Sequence, residues 1–283
     1  MTAQTIKTMG QAYDSTWRLK WRHSKACKTA KINAKHVLDY AGRSLPLSRV
    51  KKTSWWLEFI SDLRDEGRNT STINRIVSNA TTMVRFTRAA GLHEIDVPPF
   101  LRPKEGEHRM TYFSKEQVQQ LAFTAVDIFD NKALADAIIF SAYTGVRQGE
   151  LLKLKSEDFD PALNQIWVGG KPGRDTKAGD CRNITLHPLV EPIVKDRLAQ
   201  AYLFRDDWTN KDQLYAAFKK VRKFCSITED HCWHSLRHSF GTFLGEQTHP
   251  RQIMALMGHK QISTSLRYVK ATDAATRSAV LAI

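Results

Sequence analysis

Apolar side chains recur at helical spacing along the first third of the chain. A short run over Lys31–Tyr40 stops at Gly42. Between Leu47 and Gly67, Trp55, Trp56, Phe59, Ile60 and Leu63 share one face, and Gly67 closes the run. From Ser71 to Gly91 the pattern repeats with Ile73, Ile76, Val77, Met83, Val84 and Phe86, again up to a glycine, which ends a helix at no steric cost. Lys and Arg dot the opposite faces. Residues 92–110 change character: Pro98, Pro99 and Pro103 cannot continue a helix, and Lys104-Glu105-Gly106-Glu107 is strongly solvated. The expected organisation is a helical domain over 1–95, a linker over 96–110 and a second domain over 111–283.

The second domain opens on Ser114 and Gln117, spaced as a capping box. Helices are predicted at 115–125, 131–143 and 147–154. Gln165–Val168 and Arg182–Leu186 alternate as strands, with Gly169, Gly170, Pro172, Gly173 and Gly179 turning the chain between them. Helices resume at 190–203, 211–224, 235–246, 249–257 and 262–270, with a last one at 273–281. No internal repeat is visible. The pattern predicts a mainly α protein with a small β-hairpin or sheet in its second domain.

Composition narrows the setting. With 42% apolar residues in 283, the chain has enough material for a packed core. It contains no run of eighteen or more apolar residues, so no membrane helix is expected. Four widely spread cysteines make no disulfide framework, and Met1–Gly10 lacks the apolar run of a secretory signal. A reducing cytosol is the expected location.

Charge adds a partner. Lys and Arg number 43 against 29 acids, a formal +14. Residues 1–110 hold 20 basic and 10 acidic side chains, and the first 60 residues hold 12 and 3. A surplus of this size favours a polyanion, because each phosphate neutralised releases a condensed counterion. Nucleic acid is the expected partner, and no basic amphipathic helix with a clean apolar face points to a membrane surface. Trp17 and Trp21, within the basic N-terminal stretch, read as packing residues more readily than as stacking platforms.

The candidate chemistry lies in the second domain. Cys225, His231, Cys232 and His234 fall within ten residues but lack Cys-x2-Cys or His-x3–5-His spacing, so no metal site is expected. There is no P-loop and no Ser or Cys hydrolase signature. What remains is a series of anion-ready groups. Arg147 stands just after the helix-ending Gly145, where a guanidinium can fork onto two phosphate oxygens, although an Arg147–Glu150 surface pair fits the same spacing. Lys177 sits in a Gly-flanked turn between the strands. His234 and Arg237 share a helix face, and His259, after a helix-ending Gly258, is followed nine residues on by Tyr268. Singly, each is ordinary.

As an ordered set, Thr144-Gly-Val-Arg-x-Gly-Glu-Leu151, Thr176-Lys-x-Gly179, His234-Ser-Leu-Arg-His-Ser-Phe-Gly241 and Met257-Gly-His-x8-Tyr268 resemble the tyrosine recombinase (phage integrase) family over about residues 110–283. Lys171 also lies on the hairpin, but Lys177 has the family's spacing to the second strand. Met257 and Thr185 stand where Leu and Pro are commoner, and neither is a reacting group.

The resemblance implies a two-domain, C-shaped DNA clamp, with a helical core-site-binding domain joined to a mixed α/β catalytic domain. It implies a site-specific recombinase in which Tyr268 is the nucleophile. Arg147, Arg237 and His259 would hold the phosphate oxygens, Lys177 would act as general acid, His234 as base or hydrogen-bond partner of the tyrosine, and Glu150 would orient them. The cationic setting is expected to favour the Tyr268 phenolate. No cofactor and no metal are implied. The implied partners are double-stranded DNA carrying specific sites, a homotetramer on that DNA with the segment around Val280 and Leu281 docking on a neighbour, and DNA-bending accessory proteins. With the linker near 92–110, no full additional arm-site domain is expected, and simple sites are expected. The expected role is integration and excision of a phage or other mobile element; the alternatives are a chromosome-dimer resolvase, a type IB-like topoisomerase or a non-catalytic DNA-binding protein.

Overall fold

The computed structural model describes residues 5–106, 110–169, 181–245 and 248–269. The chain divides into two compact units, Met1–His108 and Arg109–Ile283.

Among the described residues the first unit packs four α-helices: α1 (Met9–Thr16), α2 (Cys27–Ala41), α3 (Thr53–Asp65) and α4 (Thr70–Ala89). Helix α1 is an element that periodicity did not reveal. Thr8 and Gln11 cap it reciprocally, and its last turn widens into a π-helical stretch over Trp17–Trp21. Trp21 is buried and Trp17 stacks on Tyr13, so both tryptophans pack. The run over Leu47–Gly67 is not one helix. Leu47–Lys51 forms a tight 3-10 turn, Lys52 is extended, and α3 begins beyond it. The break is held by Trp56, whose indole N–H donates to the Val50 carbonyl at 2.9 Å within the core.

The stretch expected to be a linker is packed on this unit as far as the description extends. Val97 is buried in its core, the Phe100 ring stacks on Trp56 at 4.9 Å, and Arg102 donates to Ser78 at 2.7 Å. Prolines stop a helix, but they leave an extended chain free to insert apolar side chains between helices, and Val97 and Phe100 do so.

The second unit contains α5 (Lys115–Asp127), α6 (Lys132–Thr144), α7 (Gln148–Leu151), β1 (Phe159–Asp160), β2 (Gln165–Val168), β3 (Arg182–Thr185), α8 (Glu191–Asp196), α9 (Lys211–Phe224), α10 (Trp233–Gly245), α11 (Pro250–Met257) and α12 (Ile262–Leu266). Ser114 and Gln117 form the capping box at the start of α5. The sheet is antiparallel in the order β1-β2-β3, with Ile166 opposite Ile184 and Val168 opposite Arg182. Strand β1 adds an edge that the sequence pattern did not show.

Helix α8 is shorter than the 190–203 run. Arg197 turns inward instead, donating to the Leu203 carbonyl at 2.8 Å and to Asp136 on α6 at 3.0 Å. That buried guanidinium, held through both terminal nitrogens, sets the end of the helix. Phe140, Leu121, Phe204, Phe218 and Trp233 lie in the main core. A smaller apolar cluster of Phe240, Ile253, Met257 and Tyr268 joins α10 to α11 and to the residues after α12. The expected hairpin turn with Lys171 and Lys177, and the expected C-terminal helix at 273–281, lie outside the described residues. Among the described residues no helix is long and apolar enough to cross a membrane, and no group of three or more His, Cys, Asp or Glu is placed to hold a metal ion.

Candidate active site

Local backbone punctuation places the polar residues of the site. Helix α6 ends at Gly145, whose left-handed φ of 64° turns the chain sharply. A Cβ there would lie 2.3 Å from the Phe240 ring, so position 145 takes only glycine on both counts. The turn exposes the Gly145 carbonyl to Arg237, which donates to it at 2.5 Å. Two residues on, Arg147 caps α7. Its backbone N–H donates to Glu150 at 2.8 Å and its guanidinium donates to the same carboxylate at 2.7 Å. The i, i+3 pair allowed by the spacing therefore exists, but it is half-buried and inside the site.

A second arginine shares that carboxylate. Arg182 on β3 donates to Glu150 at 2.8 Å through Nη2, and to the Leu256 carbonyl at 2.9 Å through Nε. Burial opposes charge on Glu150, yet hydrogen bonds and charge from Arg182, then Arg147, outweigh it and hold the carboxyl at about 2. Arg182 thus ties the sheet to α7 and to the end of α11. Helix α11 stops at Gly258, in a left-handed conformation with φ 62°, and His259 follows.

Arg237 lies on α10 and is 3% exposed. Besides Gly145 it donates to the Met257 carbonyl, so it bridges the ends of α6 and α11. Burial, then the charges of Arg147 and Arg182, press its pKa down to about 9, which leaves it protonated at neutral pH. Three arginines around one carboxylate leave an excess of positive charge with little water to screen it. Such a cluster gains from an incoming anion.

Tyr268 closes this site at 5% exposure. Its ring stacks against His259 at 6.0 Å with an 8° angle between the planes, and Nδ1 of His259 is within 2.8 Å of the Ser265 hydroxyl. The tyrosine lies over two glycines of α10, its ring over Gly241 and its backbone over Gly245. A Cβ at Gly241 would come within 2.6 Å of the ring, and one at Gly245 within 2.0 Å of the Tyr268 carbonyl oxygen. The Tyr268 hydroxyl is 2.8 Å from Nδ1 of His238. His234 stands one helical turn before His238, with the two rings perpendicular at 4.7 Å.

Arg147, Glu150, Arg237, His259 and Tyr268 are brought together, and His234 reaches the group through His238. Lys177 lies outside the described residues. Two members of the group were not anticipated. His238 is one turn along from His234 on the same helix face, and that i, i+4 spacing was the available signal. Arg182 occupies the inward-facing parity of β3 with Ile184, and a charged residue on a buried strand face marks a polar partner inside. The electrostatic setting also differs from expectation. Burial raises the Tyr268 pKa, and Arg237 and Arg267 only partly offset it, so in the DNA-free chain the phenol is held protonated. A cation favours a phenolate only as far as its attraction exceeds the loss of water around the oxygen.

Fold and site together define a class, the tyrosine recombinases, enzymes that transfer strands through a tyrosine. Residues 111–275 match the model of the phage integrase family, and the chain belongs to that family. Curated relatives include "Tyrosine recombinase XerC" of Staphylococcus carnosus (strain TM300), 27% identical over 237 residues, covering 79% of this chain and 78% of the relative. The XerC of Staphylococcus aureus (strain MSSA476) is 25% identical over the same share of each chain. Among solved structures, the integrase of the Tn1549 transposon in complex with transposon right-end DNA superposes with a TM-score of 0.79 at 18% identity, covering 98% of this chain and 100% of that one. A lambda integrase tetramer bound to a Holliday junction gives 0.73 at 17% identity, covering 91% and 79%.

Proposed function

We propose that this recombinase cuts DNA at specific sites by attack of Tyr268 on a phosphodiester, forming a 3′-phosphotyrosyl bond, and that it serves integration and excision of a mobile element. The observation that carries this reading is the packing of Tyr268 against His259 and beside Arg237, within a cluster of three arginines, two of which, Arg147 and Arg182, share the Glu150 carboxylate. A phosphodiester is the anion that suits such a cluster, since its two non-bridging oxygens match guanidinium forks.

In the reaction, Oη of Tyr268 bonds to phosphorus as the bond to the 5′ oxygen breaks. Charge builds on the non-bridging oxygens, where Arg147, Arg237 and His259 hold it. These groups are already in place, so little reorganisation opposes the transition state. Lys177 gives the departing 5′ oxygen its proton. Glu150 and Arg182 keep Arg147 and the His259 turn in register. One ester replaces another of similar energy, so the free 5′-hydroxyl of a partner duplex can reverse the step and exchange strands. The basic helices of the first unit, with a groove whose lining includes Asn33, Asn74, Arg75, Ser78 and Arg102, supply phosphate and base-edge contacts. A homotetramer on two sites, DNA-bending accessory proteins and a bacterial cytoplasm complete the reading. A second reading, chromosome-dimer resolution, draws on the staphylococcal XerC relatives.

The deciding experiment incubates the full chain with nicked duplexes tiled across the DNA flanking its coding region. A covalent adduct on a DNA 3′ end, mapped by mass spectrometry to the Tyr268 peptide and formed equally in EDTA, is the expected result. An adduct on another residue, or none on any duplex, overturns the assignment. Recombination confined to a flanking attachment site favours the mobile-element role, whereas recombination at a site carried elsewhere on the chromosome favours dimer resolution.

Gly245 offers an independent check on the tyrosine's seat. In Gly245→Ala the new methyl collides with backbone at Tyr268, not with a flexible side-chain tip, so the tyrosine must shift. A displacement near 1 Å is expected to lower single-turnover cleavage by about 100-fold. Gel-shift affinity for the same duplex should stay within a factor of about three, since it rests on many phosphate contacts.

A further inference from the structure

The partner of the nucleophile is His238, a residue outside the set that the family resemblance carries. The Tyr268 ring cannot easily swing away from it. Gly241 lets the ring lie directly on α10, Gly245 seats the Tyr268 backbone there, and His259 stacks on the ring and is itself fixed at Nδ1 by Ser265. The hydroxyl is therefore aimed at Nδ1 of His238 at 2.8 Å. A neutral imidazole has one nitrogen with an open lone pair. In the tautomer protonated at Nε2, the Tyr268 O–H donates to that lone pair.

The groups facing His238 are His234 and Arg237 on its own helix, and Arg267, His259 and Tyr268 from the α11–α12 side. Burial first, then His234, Arg237 and Arg267, hold the imidazole down to about 4. At neutral pH the ring is therefore unprotonated and able to accept. A phosphate in the site works against this depression, because the pentacoordinate transition state adds negative charge that favours an imidazolium.

We propose that His238 is the proton acceptor for Tyr268 during strand cleavage. As Oη bonds to phosphorus and the bond from phosphorus to the 5′ oxygen breaks, the proton on Oη passes to Nδ1 of His238. The 5′ oxygen leaves as an alcohol with a proton from the proposed general acid, Lys177. On religation the 5′-hydroxyl returns its proton to that acid, and His238 protonates the departing phenolate. The role of base or hydrogen-bond partner that the resemblance implies for His234 passes to the residue one turn on. This inference rests on the phosphotyrosyl reading above.

The test follows single-turnover cleavage by the full chain on the duplex that gives the wild-type adduct, as a function of pH, with His238→Ala and His238→Asn. A second substrate carries sulfur in place of the bridging 5′ oxygen, a leaving group that needs no general acid. Cleavage by His238→Ala is expected to fall by about 100-fold with DNA affinity unchanged, and the sulfur substrate should not restore it. The deficit should shrink as pH rises toward the tyrosine pKa, and added imidazole should recover part of the rate. His238→Asn, whose amide can hold the hydroxyl but cannot take its proton, should be as slow as the alanine variant.

Near-wild-type cleavage by His238→Asn would overturn the proposal and leave His238 a positioning residue only, as would a deficit that stays constant with pH. Rescue by the sulfur substrate would also overturn it, by placing His238 on the leaving-group side. If the wild-type chain forms no adduct at Tyr268, the phosphotyrosyl reading fails first. If it does, and His238→Ala cleaves at the wild-type rate, only the role of His238 fails.

Discussion

Tyr268→Phe is expected to abolish the covalent DNA adduct altogether while leaving the fold and the DNA affinity close to those of the wild-type chain. The aromatic ring is what the apolar cluster with Phe240, Ile253 and Met257 uses, and phenylalanine keeps it. Only the oxygen is lost, together with its hydrogen bond to His238. A hydrogen bond between neutral groups contributes about 1 kcal/mol, so the melting temperature should fall by about 2–4 °C. Without the oxygen no phosphorus–tyrosine bond can form, and the remaining groups supply no substitute nucleophile in the same position. Denaturing gels of the nicked-duplex reaction read the first effect and gel shifts read the second. An adduct that persists in this variant would remove Tyr268 from the reaction.

The second large effect concerns stability and centres on Glu150. This carboxylate is 7% exposed and serves Arg147 and Arg182 at once. Glu150→Ala leaves Arg182, also buried, without its partner, and stranding a buried charge costs about 3–5 kcal/mol. The melting temperature should drop by about 10 °C, and cleavage should fall as well, because Arg147 loses the anchor that aims it.

The same residue sets a pH dependence. Its folded-state value, about 2, lies below the ordinary 4.5. The stabilisation is therefore complete above pH 4.5 and is lost as pH falls from there toward 2, to the extent of about 3 kcal/mol. Urea titrations of the wild-type chain between pH 7 and pH 3 should show this loss, and Glu150→Gln, which carries no such charge, should show a flatter profile over the same window.

Two histidines show how far motif spacing extends. His259 was placed by its position after a helix-ending glycine, and a left-handed Gly258 delivers it to the tyrosine ring. His238 lies within the same quoted motif as His234 and Arg237, yet nothing in that string distinguishes the histidine that meets the hydroxyl from its neighbour one turn away. The distinction depends on where the segment after α12 crosses α10. That crossing is set by Gly241 and Gly245, the two positions whose missing side chains admit the tyrosine.

Helix periodicity, glycine stops, the Ser114 capping box and the alternation of the β2 and β3 segments are local properties. They follow from contacts within a few residues, and they made the mainly helical fold and the small sheet legible in the sequence alone, whereas the ordered run of Arg147, His234, Arg237, His259 and Tyr268 was legible through its resemblance to the family. Other features are sums over residues far apart in the chain. These are the seating of Val97 and Phe100 on the first unit, the inward turn of Arg197, the sharing of Glu150 between Arg147 and Arg182, and the raised pKa of Tyr268. Desolvation and charge act through space, so the protonation of the nucleophile and the identity of its partner were decided only when the chain had folded.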